Sequence, residues 1–125
     1  MKGYIVFLSC RKGDIRTKSK EFHLEEGFYA YVGSCGANCA KRVSRHMSKE
    51  KRKMHWHIDF ASSELCEVIA VLVLPLSEKE IVRRLVDKYE YVTGFGSSDD
   101  TEYPSHLFKV DMISFLRSIN SLVKD

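Results

Sequence analysis

The sequence lacks any long apolar segment, and its N-terminus lacks the features of a secretion signal. The longest apolar run, residues 68–76, covers nine positions and includes Pro75, whereas a helix that spans a bilayer needs roughly 20. The first residues show neither the apolar segment nor the small-residue cleavage site of a signal peptide. We therefore expect a cytoplasmic protein that does not enter the membrane.

Proline and low-complexity sequence are also scarce. The 125 residues include two prolines and seven glycines, and no repeat or Pro/Gly-rich linker divides them. This length suits one domain with a modest core. A content of 44% hydrophobic and 30% charged residues is typical of a folded globular protein. We expect a single domain over residues 1–125.

Cysteine is present at only four positions, Cys10, Cys35, Cys39 and Cys66. Two disulfides are conceivable, but a cytosolic location favours free thiols. Cys35 and Cys39 form a C-x₃-C pair, yet no second pair has the spacing of a zinc ribbon. Zn²⁺ is therefore not expected as a cofactor.

Charge is unevenly distributed along the chain. The net charge is +3, but residues 1–60 hold 13 basic and 6 acidic side chains, whereas residues 61–125 hold 7 and 11. Between Lys41 and Lys53, seven Lys or Arg side chains face the single acid Glu50. Such a patch attracts nucleic acid at long range, although a solvated helix end and loop have the same composition.

Runs rich in β-branched and aromatic residues predict four strands. They cover Tyr4–Leu8, Gly27–Gly33, Glu67–Leu74 and Leu107–Val110. The third is expected to be buried, with Pro75 ending it. The polar residues 11–20 and the Gly-containing residues 93–100 are interpreted as turns or loops.

Apolar residues at helical spacing predict three helices. The first is expected over Cys39–Lys49 with Asn38 as N-cap. Its core-facing residues would be Ala40, Val43 and Met47. Its opposite side would hold Arg42, Arg45, His46 and Lys49.

A capping box, Ser77 with Glu80, predicts the start of the second helix. The apolar residues of this helix would be Ile81, Val82, Leu85 and Val86. The last helix is expected over Met112–Val123. Its inward residues would be Ile113, Leu116, Ile119 and Val123. Elements in this order predict an α+β fold, with a small, mainly antiparallel sheet flanked by helices.

Two segments resemble the core of the GIY-YIG nucleases. In that family, a strand that ends in Tyr-Ile/Val-Gly is followed by a helix that bears an arginine. Residues 27–34 (GFYAYVGS) resemble the strand, and residues 41–46 (KRVSRH) resemble the helix. Arg42 lies nine residues after Gly33. The family has Gly-Ile/Val-Tyr near the N-terminus, where this chain has Gly3-Tyr4-Ile5 without the intervening residue. Tyr4 is the only tyrosine of the first predicted strand.

The family's metal-binding glutamate opens a later helix, and Glu78 matches it. Apolar residues follow Glu78 at +3 and +4, and Leu85 follows at +7. Glu80 matches less well, because Arg83 and Arg84 take its +3 and +4 positions. The asparagine that often follows this helix in the family has no clear match here.

The likeness is closer to the archaeal branch of Uri-type endonucleases. Its shared segments resemble residues 31–34, 45–46, 55–60, 94–99 and 105–108, in the same order over nearly the full length. Members often carry two cysteines shortly after the Gly-Phe-Gly-Ser-Ser-Asp stretch, where this chain has Asp100 and Glu102. If those cysteines bind a metal in other members, this chain has either lost that site or replaced the thiolates by the harder oxygen ligands of Asp100 and Glu102.

The resemblance implies a DNA endonuclease that uses one Mg²⁺ or Mn²⁺ ion and leaves 5′-phosphate and 3′-hydroxyl ends, with DNA repair as a candidate setting. Glu78 would hold the metal, and Arg42 would bind phosphate oxygens. Tyr4 and Tyr31 would position or deprotonate the attacking water, assisted by His46. The expected DNA-binding residues are Lys41, Arg45, Lys49, Lys51, Arg52 and Lys53. The oligomeric state is left open.

Other interpretations stay open at this point. Two tyrosines on adjacent strands commonly pack in a core, and Glu78 suits a helix N-terminus for electrostatic reasons alone. One alternative is a non-catalytic nucleic-acid-binding module with the same fold. Another is a hydrolase with a metal site at His55, His57 and Asp59, which would share one face of an extended segment.

Overall fold

The computed structural model describes residues 2–17, 20–48, 58, 65–97 and 102–124, and within them the chain forms two antiparallel sheets and three helices. The larger sheet has the strand order β5-β1-β4-β7-β6, and the smaller is the hairpin β2–β3. In chain order, the elements are β1 (Gly3–Cys10), β2 (Gly13–Arg16), β3 (Glu21–Leu24), β4 (Gly27–Ser34), α1 (Cys39–Met47), β5 (Cys66–Leu74), α2 (Glu78–Leu85), β6 (Glu90–Tyr91), β7 (Leu107–Val110) and α3 (Met112–Val123). The expected α+β class is confirmed.

Strand β1 lies inside the large sheet, between β4 and β5. Its residues from Gly3 to Leu8 are all buried, as the apolar run predicts. Alternate side chains therefore enter two different cores, because successive residues of a strand point to opposite faces. Tyr4, Val6 and Leu8 belong to one core, and Ile5 and Phe7 belong to the other.

Different elements cover the two faces of the sheet. On the face of Ile5 and Phe7, the core is completed by buried residues of α2 and α3, among them Ile81 and Phe115. On the face of Tyr4, it is completed by the hairpin β2–β3, which contributes Ile15, and by Cys35, which precedes α1. The candidate site residues Tyr4 and Tyr31 lie on this second face.

Strand β5 forms at its predicted position but is not buried as expected. It is an edge strand of the described sheet, and Ile69 and Val73 are 45% and 44% exposed. An apolar run of this length is typical of a strand covered on both sides, but it gives no information on strand order. The prediction is therefore wrong about burial, because β5 pairs within the described sheet only with β1 and leaves part of its apolar surface exposed.

Residues 11–20 were expected to form a turn or loop, but part of this segment pairs as a hairpin. Strand β2 faces β3 in an antiparallel register that sets Asp14 opposite His23 and Arg16 opposite Glu21. The side chains on one face of the hairpin are charged and bond across the strands. Ile15, on the other face, is fully buried. The sequence does not show the alternation of buried and exposed residues in β2, because Ile15 is the one apolar side chain on the buried side of that strand.

Helix α1 begins as predicted, with the Asn38 side chain accepting a hydrogen bond from the Lys41 amide, and ends at Met47. The face that it buries differs from the prediction. Ala40 is exposed and Met47 is 50% exposed, whereas His46 is only 4% exposed. His46 is buried because its ring contacts Tyr4, a contact 42 residues away in sequence that apolar spacing does not register.

The last helix, α3, has the predicted bounds and an Asp111 N-cap. Phe115 and Leu122 are its buried residues. Ile113 and Leu116, which were expected to face inward, are 64% and 51% exposed. Apolar residues occur on several faces of this helix, so helical spacing alone is compatible with more than one buried face. The face that is buried carries Phe115, whose ring packs against Phe7.

All four cysteines form disulfides, so the expectation of free thiols is wrong. Cys10 lies opposite Cys66 in the pairing of β1 with β5, with their Cα atoms 4.1 Å apart. Cys39 is the first residue of α1, and Cys35 precedes the helix by four positions, with a Cα separation of 4.3 Å. Sulfurs at such positions are within bonding reach, a proximity that spacing in the sequence does not reveal.

Candidate active site

A cleft of about 650 Å³ lies at the end of the large sheet where β1 begins and β4 ends. It contains every residue predicted to be catalytic, although they span positions 4 to 78. Tyr4, Tyr31, Arg42, His46 and Glu78 line this cleft, together with Lys41, Arg45, Lys79, Gly33, Gly96 and His106 among others. Strand pairing and helix packing thus bring together residues that are far apart in sequence.

The two tyrosines share one face of the sheet because of the register of β1 and β4. Tyr4 lies opposite Gly33, and Val6 lies opposite Tyr31, so Tyr4 and Tyr31 are diagonal neighbours. The ring of Tyr4 covers Gly33 so closely that a Cβ there would lie 2.4 Å from the tyrosine hydroxyl. The glycine of the Tyr-Val-Gly motif therefore makes room for the first tyrosine.

His46 is as buried as the two tyrosines of the site, at 4% exposure. Its Nε2 atom lies 2.8 Å from the hydroxyl of Tyr4, and its ring centroid lies 5.1 Å from that of Tyr4 and 6.3 Å from that of Tyr31. When Nε2 carries no proton, the histidine accepts the hydrogen bond from the phenol. This arrangement allows a proton to move from Tyr4 to His46 within the cleft.

Arg42 lies one helical turn before His46 and is anchored to the strand that precedes α1. Its Nη1 atom donates a hydrogen bond of 2.7 Å to the backbone oxygen of Ser34. A guanidinium has five N–H donors in a planar fork, so this anchor is compatible with a phosphate contact by the same side chain.

Glu78 and Glu80 stand two residues apart on α2 but have different surroundings. Glu78 is the first residue of the helix and lines the cleft with a side chain that is 31% exposed. The Glu80 carboxylate accepts hydrogen bonds from Arg83 and Arg84, and Ser77 caps the helix through the Glu80 amide. Arg83 and then Arg84 hold the pKa of Glu80 down to about 2. Of these two carboxylates, only that of Glu78 lines the cleft.

His106 was not predicted as a site residue. It is 4% exposed and lines the cleft, and its Nδ1 atom lies 3.3 Å from a carboxylate oxygen of Glu78. The only signal in the sequence is that His106 belongs to a segment resembling the Uri-type branch, which gives no chemical role. Its contact with Glu78 depends on the packing of α2 against strands β4 and β1 of the large sheet.

A glycine allows His106 and Tyr31 to approach each other. Gly96 has a φ of +70°, and a Cβ at this position would lie 2.8 Å from Cε1 of Tyr31 and 3.3 Å from Cβ of His106. A side chain here would be strained by the backbone conformation and would also collide with Tyr31. Gly96 therefore belongs to the framework of the cleft.

The described lining of the cleft is strongly basic. Lys41, Arg42, Arg45 and Lys79 contribute four positive charges against the one carboxylate of Glu78. Lys79 also bonds to Glu102 at 3.1 Å. A concave surface with this balance concentrates anions such as phosphodiesters.

Several predicted residues lie outside the described part of the chain. They are the DNA-binding candidates Lys49, Lys51, Arg52 and Lys53, the alternative metal ligands His55, His57 and Asp59, and the acidic residue Asp100. Within the described ranges, no group of three or more His, Cys, Asp or Glu side chains is arranged to hold a metal ion.

A second cavity, of about 890 Å³, lies at the other end of β1. Cys10, Cys66 and Met47 are among its lining residues, and His46 lines both cavities. None of the other predicted catalytic residues reaches it. All five residues predicted to be catalytic therefore line the smaller cleft, and His46 alone among them also borders the larger cavity.

The chain belongs to a protein family whose model matches nearly its whole length. Residues 3–125 match the family described as domain of unknown function DUF123. No curated protein and no solved structure matches the chain at a significant level. Among the described residues, none of the helices has the length and apolar composition that a membrane-spanning segment requires.

Proposed function

We propose that this protein is a divalent-metal-dependent endonuclease of the GIY-YIG type, related to the Uri-type branch, that hydrolyses phosphodiester bonds in DNA. The observation that carries the proposal is the convergence of Tyr4, Tyr31, Arg42, His46 and Glu78 on one basic cleft. These residue types match the needs of phosphodiester hydrolysis, which are a positioned water, charge stabilisation and a cation for the leaving oxygen.

The donor groups in the cleft fit a hard divalent cation. Glu78 contributes a carboxylate that is accessible from the cleft, and Mg²⁺ or Mn²⁺ commonly binds through one or two carboxylates and completes its coordination with water and substrate phosphate. When bound, such an ion would supply Lewis-acid stabilisation of the phosphate and the leaving oxygen. Glu78 is the residue that would hold it.

The Tyr4–His46 pair supplies the means to activate water. A phenol with its ordinary pKa of about 10 is a poor base at neutral pH. The hydrogen bond of 2.8 Å to Nε2 of His46 lets the histidine take the Tyr4 proton as the phenol oxygen accepts one from water. Tyr31, diagonally across the same face, would orient that water from its other side.

The cations of the cleft would position the DNA backbone. Arg42 is held by Ser34, and a positioned guanidinium binds two phosphate oxygens at once. Lys41 and Arg45 extend the positive surface along α1. Contacts of this kind set the register of the backbone without reading its sequence, so the described site suits DNA recognised by shape.

Cleavage assays on labelled DNA of several structures test the proposal. The wild-type protein is expected to cut at least one substrate in Mg²⁺ or Mn²⁺ and none in EDTA. Glu78→Gln should reduce the rate by 10²-fold or more while leaving binding to DNA nearly unchanged, because its role is to hold the cation. Glu80→Gln is the matched control on the same helix and should keep the rate, since its carboxylate bonds to Arg83 and Arg84.

A binding module is the competing outcome of the same assay. DNA binding by wild type without cleavage of any substrate, under all metal conditions, would contradict the nuclease proposal. Equal rates for wild type and Glu78→Gln would remove this carboxylate from the mechanism and direct attention to His55, His57 and Asp59. We also propose the cytoplasmic location that the sequence predicts, a compartment in which disulfides such as Cys10–Cys66 are uncommon.

A further inference from the structure

His106 and Glu78 form a close pair of metal-ligating groups, of which the proposed mechanism uses only Glu78. Nδ1 of His106 lies 3.3 Å from Oε2 of Glu78. Both residues line the cleft. The His106 side chain is 5% exposed, and that of Glu78 is 31% exposed. Nδ1 of His106 is therefore buried in the wall of the cleft, whereas the carboxylate of Glu78 lies between this nitrogen and the solvent-accessible part of the cleft.

The distance between the two atoms suits a shared cation. Two ligand atoms each about 2.1 Å from one ion lie about 3.0 to 3.4 Å apart in octahedral or tetrahedral coordination. The separation of 3.3 Å falls in that range. An ordinary ion pair has a similar length, so the distance by itself permits either arrangement.

The backbone fixes His106 from both sides. Its amide donates a hydrogen bond of 2.9 Å to the Phe95 carbonyl, and its own carbonyl accepts one of 2.9 Å from the Val32 amide. Ser105 before it is fully buried and bonds to the Leu107 amide at 3.0 Å. A ligand held in this way loses little conformational entropy when it binds a metal.

We propose that His106 coordinates the catalytic cation together with Glu78, and that the resulting nitrogen–oxygen donor pair makes the site selective for Mn²⁺ or a similar transition-metal ion over Mg²⁺. This inference rests on the proposed function of the same cleft. Imidazole nitrogen is a good ligand for first-row transition metals, whereas Mg²⁺ binds mainly carboxylate, carbonyl and water oxygens. A carboxylate alone would give little discrimination, so the selectivity comes from His106.

Electron spin-echo measurements of Mn²⁺ bound to the protein without DNA test the coordination directly. The wild-type spectrum is expected to contain the ¹⁴N modulation of a bound imidazole, which changes when the histidines are labelled with ¹⁵N. His106→Gln should abolish this modulation, whereas His46→Gln should retain it. A wild-type spectrum with bound Mn²⁺ but no nitrogen modulation would overturn the inference, and this result needs no variant to fold.

Titration calorimetry provides the second measurement. His106→Gln is expected to weaken Mn²⁺ binding about tenfold or more and to lower the ratio of Mn²⁺ to Mg²⁺ affinity by a similar factor. His23→Gln is the matched control, because His23 also contacts carboxylates, those of Asp14 and Glu25, but lies on the exposed hairpin outside the cleft. An unchanged affinity ratio in His106→Gln would show that His106 only orients Glu78.

The two proposals can fail separately. A protein that cleaves DNA in a Glu78-dependent way, but whose bound Mn²⁺ shows no nitrogen ligand, contradicts the coordination by His106 alone. A protein that binds Mn²⁺ through His106 and Glu78 but cleaves no DNA contradicts the nuclease function alone. Equal binding of Mn²⁺ by wild type, His106→Gln and Glu78→Gln would place the metal elsewhere in the chain.

Discussion

The hydroxyl of Tyr4 lies 2.8 Å from Nε2 of His46, so that the first strand and the first helix meet in one hydrogen bond inside the cleft. Both residues are at least nine-tenths buried, with exposures of 4% each. In a site with little bulk water, a hydrogen bond between a phenol and an imidazole is stronger than at the surface. This contact joins α1 to β1 and, when Nε2 carries no proton, supplies a proton acceptor to Tyr4.

Replacing Tyr4 by phenylalanine should remove the water-activating group while keeping the ring that packs over Gly33. We expect the cleavage rate to fall by about 10²- to 10⁴-fold, the usual contribution of a general base. Tyr29→Phe is the matched control, since its hydroxyl bonds to the Glu25 carbonyl at 2.7 Å and not to the cleft. Single-turnover rates that fall equally in both variants would contradict a special role for Tyr4.

Binding to DNA should weaken as salt rises, because the described basic lining would displace counterions from phosphates. Lys41→Ala and Arg45→Ala are each expected to reduce the slope of log affinity against log salt by about 0.9 for a duplex contact. Lys88→Ala, an exposed lysine outside the cleft, should leave the slope unchanged. Equal effects of all three changes, measured by fluorescence anisotropy, would mean that α1 is not the DNA-binding surface.

Glu80 should stabilise the fold in a pH-dependent way. Hydrogen bonds from Arg83, and then from Arg84, lower its pKa from 4.5 to about 2. A carboxylate whose folded pKa is depressed contributes stability above its unfolded pKa, and that stability is lost as pH falls toward the folded value. The difference in Tm between wild type and Glu80→Gln is therefore expected to be largest near pH 6. It should shrink between about pH 4.5 and pH 2. A constant difference across this window would show that the arginines do not depress the pKa.

The two disulfides should differ in their contribution to stability. Cys10 and Cys66 are 56 positions apart, whereas Cys35 and Cys39 are 4 apart. Chain entropy predicts about 4 kcal/mol for the first bridge and about 2 kcal/mol for the second. Urea unfolding of the double serine variant of each pair, without reductant, measures these values. If the Cys35–Cys39 variant lost more stability than the Cys10–Cys66 variant, loop entropy would not be the dominant effect.

The sequence alone determined the features that depend on neighbouring residues. Asn38 and Ser77 cap their helices as predicted, because the bond from a cap side chain to a nearby amide is local. The apolar runs at β1 and β4 formed strands at their predicted places. The residue types around Tyr4, Tyr31, Arg42 and Glu78 were sufficient to nominate a site, since each motif is short and contiguous.

Only the tertiary structure decided which distant surfaces meet. The pairing of β1 with β5 brought Cys10 to Cys66 and left the apolar β5 at an edge. The packing of α1 buried His46 against Tyr4 in place of Met47, and the packing of α2 brought Glu78 to His106. These outcomes depend on long-range contacts whose energies compete across the whole fold. Local periodicity records which residues can be buried, but it does not record the partner against which they are buried.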